Sequence, residues 1–104
     1  MKEIILSLLI TLVAFGAKAT ESRSGAVSNL YAAVGTNYGF RAVVGAGGAQ
    51  CSTGGVFVYT NVSDDNYKAY VALLMLAYSL GKTVTVILDT SQNTCHIVEV
   101  YITN

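Results

Sequence analysis

Three titratable side chains could in principle carry acid–base chemistry in this chain, Asp64, Asp65 and His96. A glycosidase needs two carboxyl groups that face each other across a sugar, about 5–9 Å apart, whereas adjacent residues on one helical turn point apart. His96 is the only histidine, and it has no evident acid or nucleophile partner. We therefore predict no catalytic residue, a capping and helix-dipole role for the aspartates, and a surface or loop-packing role for His96.

Ligand binding by aromatic and amide side chains is the second kind of chemistry open to this sequence. Sugars are held by ring faces against C–H surfaces and by amide or hydroxyl hydrogen bonds. Tyr38, Tyr59 and Asn61 are the predicted ligand contacts. The alternative is that Tyr59 belongs to the core and that Asn61 only ends a strand. The glycine-rich stretch Gly45–Gly55 lacks the Gly-Lys-Ser/Thr ending of a phosphate-binding loop and is predicted to be a flexible connection.

The start of the chain has the features of an export signal. Lys2 gives a short positive start, Ile4–Phe15 is mostly apolar, and Ala17-Lys18-Ala19 fits the small-x-small cleavage rule. The alternative is a membrane anchor, but the apolar run is shorter than the about 20 residues that a spanning helix needs.

We therefore predict a cleaved signal peptide over residues 1–19 and a single domain over 20–104. Cleavage would leave 104 − 19 = 85 residues, which is enough for one domain. The protein is expected to be exported, either periplasmic or secreted, with no membrane span after cleavage.

Two cysteines, Cys51 and Cys95, remain in the predicted mature chain. In an exported chain of this size they are expected to form a disulfide, which would stabilise the fold by about 4 kcal/mol by constraining the unfolded state. A zinc site would need more ligands, and the C-x-x-C spacing of a redox pair is absent. The sequence therefore predicts a structural disulfide, no metal site and no cofactor.

The charge of the predicted mature chain argues against a nucleic-acid partner. Four basic and five acidic side chains follow residue 19, a formal charge of 4 − 5 = −1. Binding to a phosphate backbone depends on a basic surface, and this chain has no basic cluster that could form one. Low charge and several tyrosines are typical of a compact domain that binds through neutral hydrogen bonds and ring faces.

Hydrophobic periodicity and turn residues predict the strands and the helix on which these side chains lie. Ser63 can cap a helix that ends at Gly81, and Thr20–Gly25 is predicted to be a loose arm. The predicted strands are Val27–Val34, Phe40–Val44, Val56–Thr60, Lys82–Leu88 and His96–Thr103. The chain is therefore predicted to be mainly β with one helix (α+β), in the order β-β-β-α-β-β. This order is that of an OB-fold-like five-stranded barrel, and an open sheet with one helix is the main alternative.

The predicted helix is apolar on nearly every side, which is unusual for a helix in a small domain. One face, formed by Tyr67, Tyr70, Val71, Leu74 and Tyr78, is expected to close the core. A second face, formed by Leu73, Leu76 and Leu80, needs a cover that a short chain does not readily supply. We therefore predict an oligomer interface at Leu73, Leu76 and Leu80, with another copy of the chain as the simplest partner.

Short motifs in the second half of the chain resemble the binding subunit of Shiga toxin and, more loosely, the B subunits of other AB5 toxins. The resemblance runs from Val58 to Ile102, and it lies in the stretches Val58-Tyr59-Thr60-Asn61, Ala72-Leu73-Leu74, Gly81-Lys82-Thr83-Val84-Thr85-Val86, Cys95-His96 and Glu99-Val100. It implies an OB-fold subunit that assembles as a pentamer, with helices around a central channel and cell-surface glycans bound on strands and loops. An enzymatic A chain is then a further possible partner.

The chain departs from this family at three places. The segment between Asn61 and Gly81 is longer, Val62 stands where the family has a basic residue, and the first cysteine lies in mid-chain. The position of Val62 argues against direct transfer of the family's sugar site.

The resulting hypothesis is an exported, non-enzymatic binding module, similar to toxin B subunits, that recognises a cell-surface glycan or a similar ligand as a homo-oligomer. The alternative is a stand-alone envelope protein or inhibitor whose helix face binds a different protein.

Overall fold

The computed structural model describes residues 20–35 and 37–103. The predicted signal peptide, 1–19, lies outside the described residues. The elements are β1 Thr20–Ala32, β2 Phe40–Val44, β3 Val58–Thr60, α1 Tyr67–Leu80, β4 Thr83–Asp89 and β5 His96–Thr103. The prediction of a mainly β chain with one helix, in the order β-β-β-α-β-β, is confirmed for this part of the chain. Within these residues no helix is both long and apolar enough to cross a membrane.

The five strands close on themselves in the order β1-β2-β3-β5-β4. Strand β1 makes the closure possible because it is long enough to pair twice, first with β4 and then with β2. All pairings are antiparallel except the short one between β3 and β5. At Gly25 an added Cβ would lie 2.9 Å from the Cα of Gly45, so the chain can pass between its two pairings only with glycine there.

The predicted loose arm Thr20–Gly25 is wrong, since these residues form the first half of β1. They pair with β4 from Thr20 opposite Asp89 to Gly25 opposite Val84, and the Ser24 hydroxyl lies 2.7 Å from that of Thr85. The segment carries no apolar pattern of its own. It is a strand because β4 otherwise has an unpaired edge.

The core lies inside the closed sheet and is sealed by α1, which packs against β1, β4 and β5. Leu74 and Ala77 are the fully buried residues of the helix. They meet an apolar interior formed by Phe40, Ala42, Val44, Val58, Val84, Val86, Leu88, Ile97 and Val100. Tyr78, predicted on the core face, is instead about half exposed at 51%.

The end of α1 agrees with prediction and its start does not. Gly81 has the left-handed conformation (φ 66°, ψ 29°), and its N–H donates to the Ala77 carbonyl, as expected for a glycine that ends a helix. The helix begins at Tyr67 after Asn66, which makes no side-chain cap. The predicted capping role of Ser63 is therefore wrong, and Asp64 and Asp65 lie outside the helix.

A β-bulge in β5 interrupts the regular alternation of inward and outward side chains in that strand. Ile87 pairs with Glu99 and Leu88 with Ile97, so Val98 is the extra residue. The bulge turns both Ile97 and Val100 into the core and leaves Val98 exposed. The Tyr70 hydroxyl of α1 donates to the Val98 carbonyl at 2.8 Å, so the helix supplies a partner at this irregular point of the strand.

The predicted disulfide between Cys51 and Cys95 is present, with 5.9 Å between the two Cα atoms. It ties the long connection between β2 and β3 to the residue that precedes β5. Both cysteines are buried.

Candidate ligand-binding site

Four side chains form a row across the outer face of the closed sheet. Arg41 of β2 pairs with Tyr31 of β1 on one side and with Tyr59 of β3 on the other. Tyr59 in turn pairs with His96 of β5. Directly paired residues point to the same side of a sheet, so the register alone brings two tyrosines, an arginine and a histidine together.

Tyr59 lies at the centre of an aromatic group on this face. Its ring is stacked on His96, with centroids 4.9 Å apart and planes 7° apart. Tyr38 meets it edge-on at 4.4 Å, a favourable geometry for two aromatic rings. The Tyr59 hydroxyl lies 2.8 Å from that of Thr94, and burial raises the pKa of this phenol. Tyr59 is therefore held at both its ring and its hydroxyl.

The loop between β1 and β2 presents Tyr38 to the same place. Tyr38 has a positive φ of 57°, which is uncommon for a residue with a side chain. Its backbone N–H donates to the Oδ1 atom of Asn61 at 2.8 Å. Two of the predicted ligand contacts, Tyr38 and Asn61, are thus bonded to each other, and Asn61 acts by fixing the position of Tyr38.

An open pocket of about 240 Å³ lies beside these rings. Its lining residues come from β2, β3 and the loops before β2, β3 and β5, and they are Tyr38, Arg41, Gly55, Val56, Phe57, Tyr59, Asn93, Thr94 and Cys95. Of the predicted contacts, Tyr38 and Tyr59 line the pocket and Asn61 does not. The sequence reasoning missed Arg41, Phe57, Asn93 and Thr94, because only strand pairing and the disulfide bring them together.

The guanidinium of Arg41 lies against two aromatic rings at the edge of the pocket. Its central carbon is 5.0 Å from the Phe57 ring centroid and 5.7 Å from that of Tyr31, and these two rings meet edge-on at 5.0 Å. Cation–π contacts of this kind stabilise an arginine by about 0.5–2 kcal/mol.

His96, which is stacked on Tyr59, forms a short ion pair or hydrogen bond with Asp64. His96 Nε2 lies 2.7 Å from Asp64 Oδ2. The same carboxylate accepts from the Thr60 hydroxyl and from the Asn61 N–H, each at 2.8 Å. Burial alone would raise the pKa of the Asp64 carboxyl, but these hydrogen bonds and the nearby imidazole together lower it.

This arrangement corrects the predicted roles of both residues. Asp64 joins the end of β3 to the start of β5 and has no helix-dipole role. His96 has the acid partner that was not evident in the sequence, where the two lie 32 positions apart. The only available signal was that each follows or begins a predicted strand. Since β3 and β5 are neighbours in the sheet, the pair ties the two strands together and fixes the imidazole on which Tyr59 is stacked.

The predicted interface residues Leu73, Leu76 and Leu80 do not share one environment. Leu73 is half-buried against the core, whereas Leu76 and Leu80 are 49% and 60% exposed. Met75 and Tyr78 are also exposed on this helix. We refer to Met75, Leu76, Tyr78 and Leu80 as the outer helix face.

The chemistry available in the pocket is that of recognition by rings and hydrogen bonds. Tyr38 presents an exposed ring, Phe57 a half-buried one, and Asn93 and Thr94 offer amide and hydroxyl groups. In the described part of the chain, no three His, Cys, Asp or Glu side chains are grouped so that they could hold a metal ion.

Comparison with known proteins adds no relative. No family model matches the chain, and neither a curated protein nor a solved structure matches it. The resemblance to toxin B subunits stays a prediction from the residues themselves.

Proposed function

We propose that this protein is an exported, non-enzymatic binding module that holds a glycan in the pocket beside Tyr38 and Tyr59. The observation that carries the proposal is the pocket itself, in which aromatic rings and neutral hydrogen-bonding groups converge on one open space. This combination suits a sugar, which offers C–H faces to the rings and hydroxyls to the polar groups. Pockets for drug-sized ligands measure about 300–1,000 Å³, so a pocket of about 240 Å³ suits a smaller ligand such as a single sugar residue.

The architecture supports this position for a ligand. The strand order, with a helix between β3 and β4, is consistent with an OB-like barrel. In that fold, oligosaccharides and oligonucleotides bind to strands 2 and 3 and to the loops between strands 1 and 2 and strands 4 and 5. Here Arg41 and Tyr59 lie on those strands, and Tyr38 and Thr94 lie in those loops. The inference is an analogy between folds, and the chain's near-neutral charge favours the saccharide over the nucleic acid.

We propose a non-enzymatic role because the reactive groups nearest the pocket form hydrogen bonds with one another. The Tyr59 and Thr94 hydroxyls are paired, and His96 Nε2 faces Asp64. These contacts hold rings in position, and among the described residues they leave no activated nucleophile aimed at the open space.

A glycan array on the exported protein, followed by titration calorimetry on the hits, tests the proposal. We expect binding that Tyr38→Ala weakens at least about tenfold, since an exposed ring contributes most of the sugar-facing surface. Tyr101→Ala is the matched control because it removes a similarly exposed tyrosine from β5, outside the pocket. An array without hits, or equal losses in the two variants, would contradict a glycan site at this pocket.

We further propose that the protein acts as a homo-oligomer, with a second copy covering the outer helix face. Four exposed apolar side chains on one helix form a surface that a second copy of the same helix can bury. The pentamer and the enzymatic A chain follow only from the resemblance to toxin B subunits. The alternative partner is a different envelope protein on the same face.

Multi-angle light scattering on wild type and on Leu76→Asp tests self-association. We expect the wild type to be a stable oligomer and the variant to be a folded monomer, because Leu76 is half exposed. Asp at this position would put an unpaired charge in the interface. A monomeric wild type would favour docking to a different protein.

Export is supported by the composition of residues 1–19 and by the disulfide, since disulfides persist in oxidising compartments. Mass spectrometry of the exported chain is expected to show Thr20 as its first residue.

A further inference from the structure

Arg41 differs from an ordinary surface arginine because it is half-buried and has no hydrogen-bond partner among the described residues. Its Nε is buried from water and has no acceptor among the described residues. No described carboxylate lies within ion-pair distance of its guanidinium. An arginine carries five N–H donors, and buried donors left without acceptors cost free energy.

Arg23, on the neighbouring strand, shows the usual alternative. Its Nε donates to the Val44 carbonyl at 2.6 Å and its Nη2 to the Ala46 carbonyl at 2.9 Å. These bonds give Arg23 a structural role between β1 and the end of β2. Arg41 has no such role, since the rings of Tyr31 and Phe57 compensate part of its charge but accept no strong hydrogen bond.

Arg41 is also fixed in place before any ligand arrives. It lies in the middle of the cross-strand row between Tyr31 and Tyr59, and its guanidinium lies against the rings of Tyr31 and Phe57. A charged group held in this way loses little further freedom on binding.

The pocket is electrostatically one-sided. Among its described lining residues Arg41 is the only charged one, and no acidic side chain is present. A neutral sugar would satisfy the rings and the amides but would leave the guanidinium unpaired.

We infer that the glycan bound here is acidic, and that its oxyanion accepts hydrogen bonds from the terminal N–H groups of Arg41. This inference rests on the proposed function and names its ligand class, a saccharide with a carboxylate or a sulfate group. The planar guanidinium matches a carboxylate in two parallel bonds, which are stronger than neutral ones. The sugar ring lies against the aromatic side of the pocket, and its hydroxyls face Asn93 and Thr94.

The test uses three sugars that differ at one carbon, namely methyl glucoside, methyl glucuronide and methyl glucoside 6-sulfate, with inorganic sulfate as a fourth probe. Binding is followed by NMR through the Arg41 Nε–H resonance and the amides of Tyr59 and Thr94. We expect an acidic sugar to move the Arg41 resonance and to bind at least about tenfold more tightly than methyl glucoside, because a charge-assisted hydrogen bond is gained. The carboxylate and sulfate arms show which oxyanion is preferred.

Variants separate charge from shape. Arg41→Gln is expected to remove the preference for acidic sugars, and Arg41→Lys to retain part of it with a larger dependence on salt. Lys68→Gln is the control, because it removes the same charge from an exposed position on α1. Near-ultraviolet circular dichroism verifies that each variant is folded.

The outcomes distinguish this inference from the proposed function. If array hits are neutral glycans that need Tyr38, and Arg41→Gln leaves the affinities unchanged, the function stands and the inference fails. If neither acidic sugar moves the Arg41 resonance and the array is empty, both fail. If inorganic sulfate moves Arg41 as strongly as both acidic sugars, the sugar contributes nothing, and an acidic-glycan site is ruled out.

Discussion

The pocket and the outer helix face are both exposed and both contain aromatic residues, yet they are built differently. In the pocket, each ring is held by a second contact: Asn61 fixes Tyr38, and Thr94 and His96 fix Tyr59. On the outer helix face, Leu76 and Leu80 are held only by the helix that carries them. The first region therefore holds its rings in fixed positions, and the second offers apolar area without directional groups.

This difference shows that exposure alone does not identify a specific site in a small domain. An exposed apolar side chain is common on protein surfaces and specifies nothing by itself. A ring whose hydroxyl, plane and backbone are all fixed has lost conformational entropy during folding, which a ligand then need not supply. Preorganisation therefore favours the pocket as the specific site, and the helix face as a surface for association.

Removal of the disulfide is expected to have the largest effect, and it should affect the pocket more than the outer helix face. We expect Cys95→Ser to lower the free energy of unfolding by about 4 kcal/mol, because a 44-residue separation is no longer closed in the unfolded chain. The pocket should loosen first, since Cys95 lines it. The measurement is denaturant unfolding with hydrogen exchange at the amides of Thr94 and of α1.

Cys51→Ser is the control for that experiment, since it breaks the same bond from the other side. The two variants are expected to lose the same stability. An unchanged unfolding midpoint in either would show that the bond is not structural.

Asp64→Asn tests the pocket separately from the helix, because it weakens the hydrogen bonds that support the pocket and leaves α1 intact. The folded-state pKa of Asp64 is lowered, so folding favours its ionised form. This contribution is complete above the unfolded carboxyl value of about 3.9 and is lost as the pH falls through the lower folded value. We expect the variant to be about 1–3 kcal/mol less stable at pH 7.

The measurement is thermal unfolding of wild type and variant between pH 7 and pH 2. The stability difference is expected to shrink at the acid end of this range. Asp65→Asn, at the exposed neighbouring position, is expected to follow the wild-type curve. Parallel curves for wild type and Asp64→Asn down to pH 2 would count against the inferred role of this carboxylate.

A smaller effect is expected from Asn61→Ala, which removes the acceptor of the Tyr38 N–H. Loss of one exposed hydrogen bond should cost about 0.5–1.5 kcal/mol of stability. Glycan affinity should fall about three- to tenfold, because Tyr38 is then free to leave its positive-φ conformation. Calorimetry on the array hits measures the second effect.

Ser63→Ala provides the comparison for that variant. A helix-capping serine would cost about 1 kcal/mol on removal, but α1 begins after Asn66. We therefore expect a change within about 0.5 kcal/mol. A larger loss would mean that the segment before α1 is organised by Ser63 after all.

Much of the secondary structure could be predicted because it depends on neighbouring residues. The bounds of β2 and β5 agree with the predicted Phe40–Val44 and His96–Thr103, and Gly81 ends the helix as expected. The first half of β1 could not be predicted, since it is a strand only through its pairing with β4. The bulge at Val98 escaped prediction for the same reason.

The candidate site was predicted only in part. Tyr38 and Tyr59 were found because exposed or strand-end tyrosines suit sugars. Arg41 and the Asp64–His96 pair were not found, since nothing local marks one arginine on a strand as unpaired. Their significance comes from residues 10 to 32 positions away that the sheet brings beside them.

Local sequence was sufficient to predict most of the strand and helix segments, the cysteine pair and the excess of apolar surface on α1. Periodicity, end residues and composition involve residues that are close together in the chain, so they can be recognised from the sequence. Which side chains share a face depends on the tertiary structure, because the order β1-β2-β3-β5-β4 places Arg41 beside Tyr59 and Tyr59 beside His96. Closing the sheet is a non-local event, and the pocket forms with it.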